Sequence, residues 1–135
     1  MNMEYLNVLP EEKNKFKAQL ESGEKPVFIA KNVIFGTDTG RAIGWDVKVT
    51  MTNRRIIADN GKGVWTMGIA EDVRGSQVVE RGKGLMKEHF VQVDLKTPFV
   101  FNNGDERITT GAYTFVFKKK EEARFMEIMN NVFAD

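Results

Sequence analysis

Two adjacent arginines, Arg54 and Arg55, lie inside the apolar, strand-like segment VTMTNRRIIAD. A guanidinium group carries several N–H donors and is a preferred partner of phosphate and carboxylate groups, so the pair could bind an anion. Thr52 and Asn53 precede the pair and favour a tight turn, because their short polar side chains bond to nearby backbone groups. The arginines could therefore also mark a structural corner between two strands.

Few other residues could carry chemistry. His89 is the only histidine and the chain has no cysteine, which excludes a paired-histidine relay and a thiolate nucleophile. Asp105 and Glu106 lie in a predicted loop at residues 102–111, but their spacing lacks the alternating ligands of a calcium-binding EF-hand. Two GKG stretches fall between strands and do not open a helix, so neither forms a nucleotide-binding motif. We expect no enzymatic activity, no metal and no cofactor.

The composition limits the kinds of partner. The chain has 20 Lys and Arg against 19 Asp and Glu, with a formal net charge of +1, so it offers no general field for a nucleic acid. No apolar run approaches the roughly 20 residues that cross a bilayer, and the first residues do not have the pattern of a signal peptide. The absence of cysteine fits a reducing compartment. We expect a cytoplasmic protein, folded as a single domain over residues 1–135.

A short amphipathic helix is predicted near the start of the chain. Pro10 suits a first helical turn, and the spacing of Leu9, Phe16 and Leu20 puts them on one helical face. The pattern predicts a helix over about residues 9–21.

A second helix is predicted at the other end of the chain, over about residues 119–133. Its apolar residues recur at helical spacing, which is typical of a face that packs on a core. They are Phe125, Met126, Met129, Val132 and Phe133.

About seven short strands are predicted between residues 27 and 118. The turns between them are too short for parallel crossovers, so the sheet should be antiparallel. In the second strand, Trp45, Val47, Val49 and Met51 alternate with polar residues, which predicts that these four face the core. The same reasoning predicts a core position for Trp65.

This order of elements resembles the bacterial pleckstrin-homology-like (PH-like) and GRAM-related domains. The likeness rests on ESGEKPVFIA before the first strands, on the Thr-Asn-Arg-Arg signature from Thr52 to Ile57, and on a short IAEDV segment. It implies a mainly β (α+β) fold: a seven-stranded antiparallel barrel or orthogonal sandwich, plugged by a C-terminal helix, here with an additional N-terminal helix. Family members repeat the arginine pair without sharing a ligand. The resemblance therefore implies a structural corner, in which one guanidinium binds backbone carbonyls or an acidic neighbour such as Asp72.

The resemblance favours a non-catalytic binding or assembly module that acts through protein–protein contacts, including self-association. The segment VFIAKNVIFG is apolar on both strand faces. One face would pack on the core and the other on a helix or a second subunit, with Val33 and Phe35 as the predicted interface residues.

The alternative function is weak recognition of an anionic lipid headgroup, or of another small anion, at a membrane surface. The loop GTDTGR supplies Arg41, and Lys31 and Lys48 lie on the flanking strands, while Asp38 and Asp46 offset their charge. Each basic residue near an anionic surface contributes about 1 kcal/mol, so binding should be weak. The full set of predicted anion-binding residues is Lys31, Arg41, Lys48, Arg54 and Arg55.

Overall fold

The computed structural model describes residues 1–82 and 84–134, and it contains one sheet of seven strands. Every strand pairing in the sheet is antiparallel. The elements are, in chain order, α1 (Glu4–Val8), β1 (Pro26–Thr37), β2 (Ala42–Thr52), β3 (Arg55–Asp59), β4 (Val64–Gly68), α2 (Ile69–Asp72), β5 (Val73–Arg81), a 3-10 helix (Gly84–Met86), β6 (Glu88–Asn103), β7 (Glu106–Val116) and α3 (Lys119–Val132). The predicted mainly β class with a C-terminal helix is confirmed.

The sheet does not close into a barrel within the part of the chain that is described. Its strand order is β4-β3-β2-β1-β7-β6-β5, so β4 and β5 are the two edges. Helix α2 follows β4 directly, and its first residue, Ile69, donates its N–H to the carbonyl oxygen of Arg54 at 2.9 Å. This bond turns the chain toward the corner between β2 and β3 before β5 begins. The predicted seven-stranded antiparallel sheet is confirmed, and of its two predicted forms, barrel or orthogonal sandwich, the closed barrel is the wrong one.

Helix α3 contributes Phe125, Met129 and Val132 to the core, as its apolar spacing predicts, and also Ile128, which was not among the predicted residues. Met126 and Phe133, also predicted for this face, are partly buried against the core. The ring of Phe125 lies 5.6 Å from that of Phe28 and 5.0 Å from that of Phe117. Aromatic contacts at these separations add to the free energy gained by burying apolar area. No helix among the described residues is long and apolar enough to cross a membrane.

Strand β1 contains a bulge that reverses its alternation. Ala30 pairs with Val49 and Val33 pairs with Val47, so β1 has one extra residue in this interval. Asn32 has φ +57°, a left-handed conformation that asparagine tolerates better than most residues. As a result Val33 and Phe35 are both fully buried in the core. The prediction that they form an interface is wrong, because strict alternation does not hold across the bulge.

A second bulge lies in β2, at Trp45 and Asp46. Val33 pairs with Val47 while Phe35 pairs with Gly44, so here β2 has the extra residue. Asp46 has φ +53°, and Trp45 is 66% exposed. The predicted core position of Trp45 is therefore wrong, and the tryptophan lies on the face of the sheet opposite the core, the outer face.

The N-terminal helix lies earlier and is shorter than predicted. It is α1, while residues 9–25 form neither helix nor strand. The side chain of Asn14 accepts from the N–H of Ala18 and donates to its carbonyl oxygen, both at 3.0 Å, and Lys17 has φ +54°. Such side-chain bonds to the backbone compete with helical hydrogen bonds. The predicted helix over residues 9–21 is therefore wrong.

Candidate binding site on the outer face

Arg55 begins β3 and binds the carboxylate of Glu24, which precedes β1. Arg55 Nε donates to Glu24 Oε2 at 2.8 Å, and Nη2 donates to Oε1 at 3.0 Å. Arg55 Nη2 also donates to the carbonyl oxygen of Gln19. The Glu24 side chain is fully buried, and Thr52 Oγ1 donates to its Oε2 at 2.6 Å. We call Glu24, Thr52 and Arg55 the arginine corner.

The Glu24 carboxylate stays charged in the folded protein although it is buried. Burial alone raises the pKa of a carboxyl group. Hydrogen bonds from Arg55, from Thr52 and from the backbone N–H of Glu21 outweigh this effect and hold the pKa of Glu24 at about 2, below its ordinary 4.5. Both oxygens of the carboxylate are engaged with partners inside the chain. The geometry of Arg55 therefore supports the structural interpretation of the corner.

The other arginine of the pair has a different environment. The Arg54 side chain is exposed, and the contribution of this residue to the corner is its carbonyl oxygen, which accepts from Ile69. Asp72, the acidic neighbour that was expected to bind an arginine, instead accepts from the backbone N–H of Gly68 at 2.7 Å. The acidic partner at the corner is thus Glu24 and not Asp72.

Arg41 and Lys31 lie at two separate places along β1 and the turn that follows it. Arg41 lies in the turn between β1 and β2, where its guanidinium pairs with Glu106. Hydrogen bonding to this guanidinium lowers the pKa of Glu106. Lys31 is exposed in the β1 bulge, whereas Arg41 lies beyond the far end of β1, next to Gly36. The two cations therefore do not form one anion site.

Lys48 lies opposite the β1 bulge on β2 and is surrounded by other groups. Its Nζ lies 5.7 Å from the centroid of the Phe16 ring. Asp46 and Asp59 line the same shallow cavity as Lys48 and Phe16. These carboxylates offset its positive charge. Lys48 and Arg55 line one further small cavity, but Lys31, Arg41 and Arg54 do not line it, so the five predicted cations do not converge on one surface.

A groove of about 540 Å³ runs across the outer face of the sheet. Residues of β1, β2, β5, β6 and β7 line it, and its apolar side chains include Ile34, Trp45, Phe90 and Val116. Gly36 also lines the groove, and only glycine fits there, since a Cβ would lie 2.7 Å from the carbonyl oxygen of Arg41. We call this feature the outer-face groove.

Polar residues form one end of the outer-face groove. The Arg81 guanidinium carbon lies 4.8 Å from the centroid of the Phe90 ring, and Arg81 Nη2 donates to the carbonyl oxygen of Asp38 at 2.9 Å. Arg81 thus joins the end of β5 to the turn between β1 and β2. His89 also lines the groove, and its Nε2 lies 3.2 Å from Glu80 Oε1. The groove therefore combines an apolar floor with a polar rim.

The apolar floor and polar rim of the outer-face groove suit the binding of a ligand. Among residues 1–82 and 84–134, no group of three or more histidine or acidic side chains is placed to hold a metal ion. An apolar groove with a few polar groups can enclose an apolar side chain and orient the polar atoms beside it. Strand periodicity does not reveal this site, because Trp45, its most exposed large apolar residue, follows an alternating core pattern. The signal that could have revealed it is Asp46, a residue type that tolerates the left-handed conformation of a bulge.

No family model and no curated protein matches the chain. Among solved structures, the Vps36 N-terminal PH domain is similar, with a TM-score of 0.60 and 16% sequence identity over 94% of this chain and 95% of that chain. At this identity the likeness shows the fold alone. The chain therefore has a PH-like fold.

Proposed function

We propose that this chain is a cytoplasmic, non-catalytic binding module that acts through protein–protein contacts, including contacts between its own copies. The outer-face groove is the contact surface. One observation carries the proposal: Trp45 is 66% exposed at the edge of an apolar groove. Tryptophan is enriched among the residues that dominate binding energy at protein interfaces. The relation to bacterial PH-like and GRAM-related domains belongs to the same proposal and rests on the Thr-Asn-Arg-Arg signature.

The shape and chemistry of the groove favour one class of ligand segment. The groove is lined by residues of five strands, which suits an extended peptide with one large apolar side chain. Ile34 and Val116 would contact this side chain, and the Trp45 ring would cover it. Arg81 and His89 at the rim can donate hydrogen bonds to carbonyl or carboxylate oxygens of the same peptide.

Peptide selection tests the groove directly. A random peptide library displayed on phage is selected on the immobilised protein, and the enriched peptides are then measured by fluorescence polarisation. We expect Trp45→Ala to weaken their binding by about tenfold or more, as truncation of a central aromatic residue does. The matched control is Val100→Ala, which also changes an exposed apolar residue but lies outside the groove.

Trp45→Ala should keep its fold, because most of the tryptophan side chain is exposed and few core contacts are lost. Its thermal midpoint, followed by circular dichroism, should stay close to that of the unchanged protein. Selected peptides that bind Trp45→Ala and Val100→Ala equally well would contradict the role of the groove.

A second proposed function is weak binding to an anionic membrane surface, which one observation favours. Leu85 is fully exposed in the 3-10 helix before β6, and Arg81 and Lys87 flank it in the sequence. An apolar side chain next to cations can enter the interface of an acidic membrane.

Flotation with phosphatidylcholine vesicles, with and without phosphatidylserine, tests the membrane proposal. We expect weak flotation that needs phosphatidylserine, falls with added salt and is lost in Leu85→Asp. If flotation is lost in Arg41→Glu but not in Leu85→Asp, the turn between β1 and β2 would instead be the part that contacts the membrane. Absence of flotation at low salt would contradict both versions.

A further inference from the structure

One end of the outer-face groove is crossed by the side chain of Arg81. Its Nη2 donates to the carbonyl oxygen of Asp38 at 2.9 Å, so the side chain reaches from β5 to the turn between β1 and β2. Its Nη1 lies against Gly40, which has φ +84° and where a Cβ would be only 1.8 Å from this nitrogen. Glycine is therefore required at this position for the side chain to cross. We call this link between β5 and the turn the Arg81 bridge.

The register of the strands puts the Arg81 bridge at the opposite end of the groove from Trp45. Ile34 of β1 pairs with Val116 of β7, and the register between β7 and β6 places Phe90 beside Val116. The Arg81 guanidinium lies over the Phe90 ring, whereas Trp45 lies on β2, on the other side of β1. An extended chain that follows this apolar floor from Trp45 therefore meets the bridge and cannot continue along it.

The Arg81 bridge presents a positive charge to the groove. A guanidinium has five N–H donors, and the one side-chain hydrogen bond of Arg81 to a described residue goes to the uncharged carbonyl oxygen of Asp38. Glu88 lies opposite Arg81 in the register of β5 and β6 and also lines the groove. Within the described part of the chain, however, Arg81 forms no ion pair. The His89 side chain lies next to Glu80. Arg81 is thus the group at this end that can bind a carboxylate.

We propose that the outer-face groove binds the C-terminal segment of a partner protein, with its terminal carboxylate at Arg81 and an apolar side chain beside Trp45. This inference rests on the proposed function and names the part of the partner that the groove receives. A planar guanidinium matches the two oxygens of a carboxylate. A chain end also needs no room beyond the bridge, whereas an acidic side chain within a longer chain would require the backbone to leave the groove.

Paired peptide arrays test this inference. One array presents random hexapeptides that are fixed through their N termini and end in a free carboxylate, and the other presents the same sequences ending in a carboxamide. Peptides that retain the fluorescently labelled protein are then measured in solution by fluorescence polarisation. We expect each carboxylate form to bind at least about tenfold more tightly than its amide, because the amide lacks the charged acceptor. Two glycines added after the last residue should weaken binding as strongly, since they move the carboxylate past Arg81.

Variants at the bridge separate peptide binding from support of the turn. Arg81→Gln removes the charge and should abolish most of the difference between carboxylate and amide forms, with the amide affinities little changed. Equal weakening of both forms would show that Arg81 only supports the turn. Arg81→Lys keeps a positive charge and should retain part of the preference. The matched control is Arg74→Gln, which changes an arginine of β5 outside the groove and should leave both affinities unchanged.

The outcomes separate this inference from the proposed function. If carboxylate and amide forms bind the unchanged protein equally well and Trp45→Ala weakens both, the C-terminal inference is wrong and peptide binding through the outer-face groove stands. If amide forms bind as tightly whenever they contain an internal aspartate or glutamate, the inference is likewise wrong. If neither array retains the protein, this inference and peptide binding through the groove are both contradicted. The comparison of the two forms needs no variant, so it holds even where Arg81→Gln disturbs the turn.

Discussion

Replacing Arg55 with methionine is expected to lower the free energy of unfolding by about 3 kcal/mol, because it leaves the buried Glu24 carboxylate without its charged partner. Arg55 supplies two of the hydrogen bonds to that carboxylate. Methionine keeps a long apolar side chain at the position, so the change removes mainly the charge and the donors. Urea denaturation followed by circular dichroism measures the loss.

The adjacent arginine is the matched control. Arg54 has an exposed side chain, and its role at the corner is carried by its backbone, which a substitution leaves in place. Arg54→Met should therefore change the free energy of unfolding by no more than about 0.5 kcal/mol. Equal losses for the two variants would show that the arginine pair stabilises the corner through some other interaction.

Acid is expected to remove the stability that Glu24 contributes. The pKa of Glu24 is about 2 in the folded protein and 4.5 for the free side chain. A group with a lower pKa in the folded state stabilises the fold above its unfolded pKa. That contribution is lost as the pH falls from about 4.5 toward 2. It amounts to roughly 3 kcal/mol, given about 1.4 kcal/mol for each pKa unit.

The comparison with Glu24→Gln isolates this effect, because glutamine has a similar shape and does not titrate. At pH 7 the unchanged protein should be more stable than the variant. The difference should shrink by about 3 kcal/mol as the pH falls from about 5 to about 2. Urea denaturation at several pH values measures it. A stability difference that is the same at every pH would contradict the ion pair.

Local periodicity predicts the elements of this fold better than it predicts which side chains face the core. The stripe of α3 is continuous, so Phe125 and Met129 reach the core as expected. In β1 and β2, one residue in a left-handed conformation, Asn32 or Asp46, shifts the alternation by one. Because strand side chains alternate between faces, each shift exchanges buried and exposed positions. This is why Trp45 lies on the outer face.

The arginine corner shows a second reason why the sequence alone does not predict every contact of the site. The turn at Thr52 and Asn53 is local and could be predicted. The acidic partner could not, because Glu24 reaches the corner through contacts that are distant in the sequence. Lys25 donates its N–H to Asn53 Oδ1 at 2.9 Å and accepts from the N–H of Asn53 at 3.0 Å. These bonds hold the segment before β1 against the turn.

The prediction of a helix over residues 9–21 is wrong for an energetic reason. A helix of about a dozen residues is marginal in water unless its apolar face packs on the core. Here Leu6 and Leu9 are buried near the start of the chain. Phe16 instead lies beside Lys48 on the sheet. The apolar residues therefore do not act as one helical face.

The most direct test of the proposed function is amide chemical-shift mapping by NMR during titration with a peptide selected on the protein. The account predicts that the largest shifts lie in β1, β2, β6 and β7 around Trp45, Ile34 and Val116, with little change at Arg54 and Arg55. Largest shifts at the arginine corner, or around Lys31 and Lys48, would contradict it.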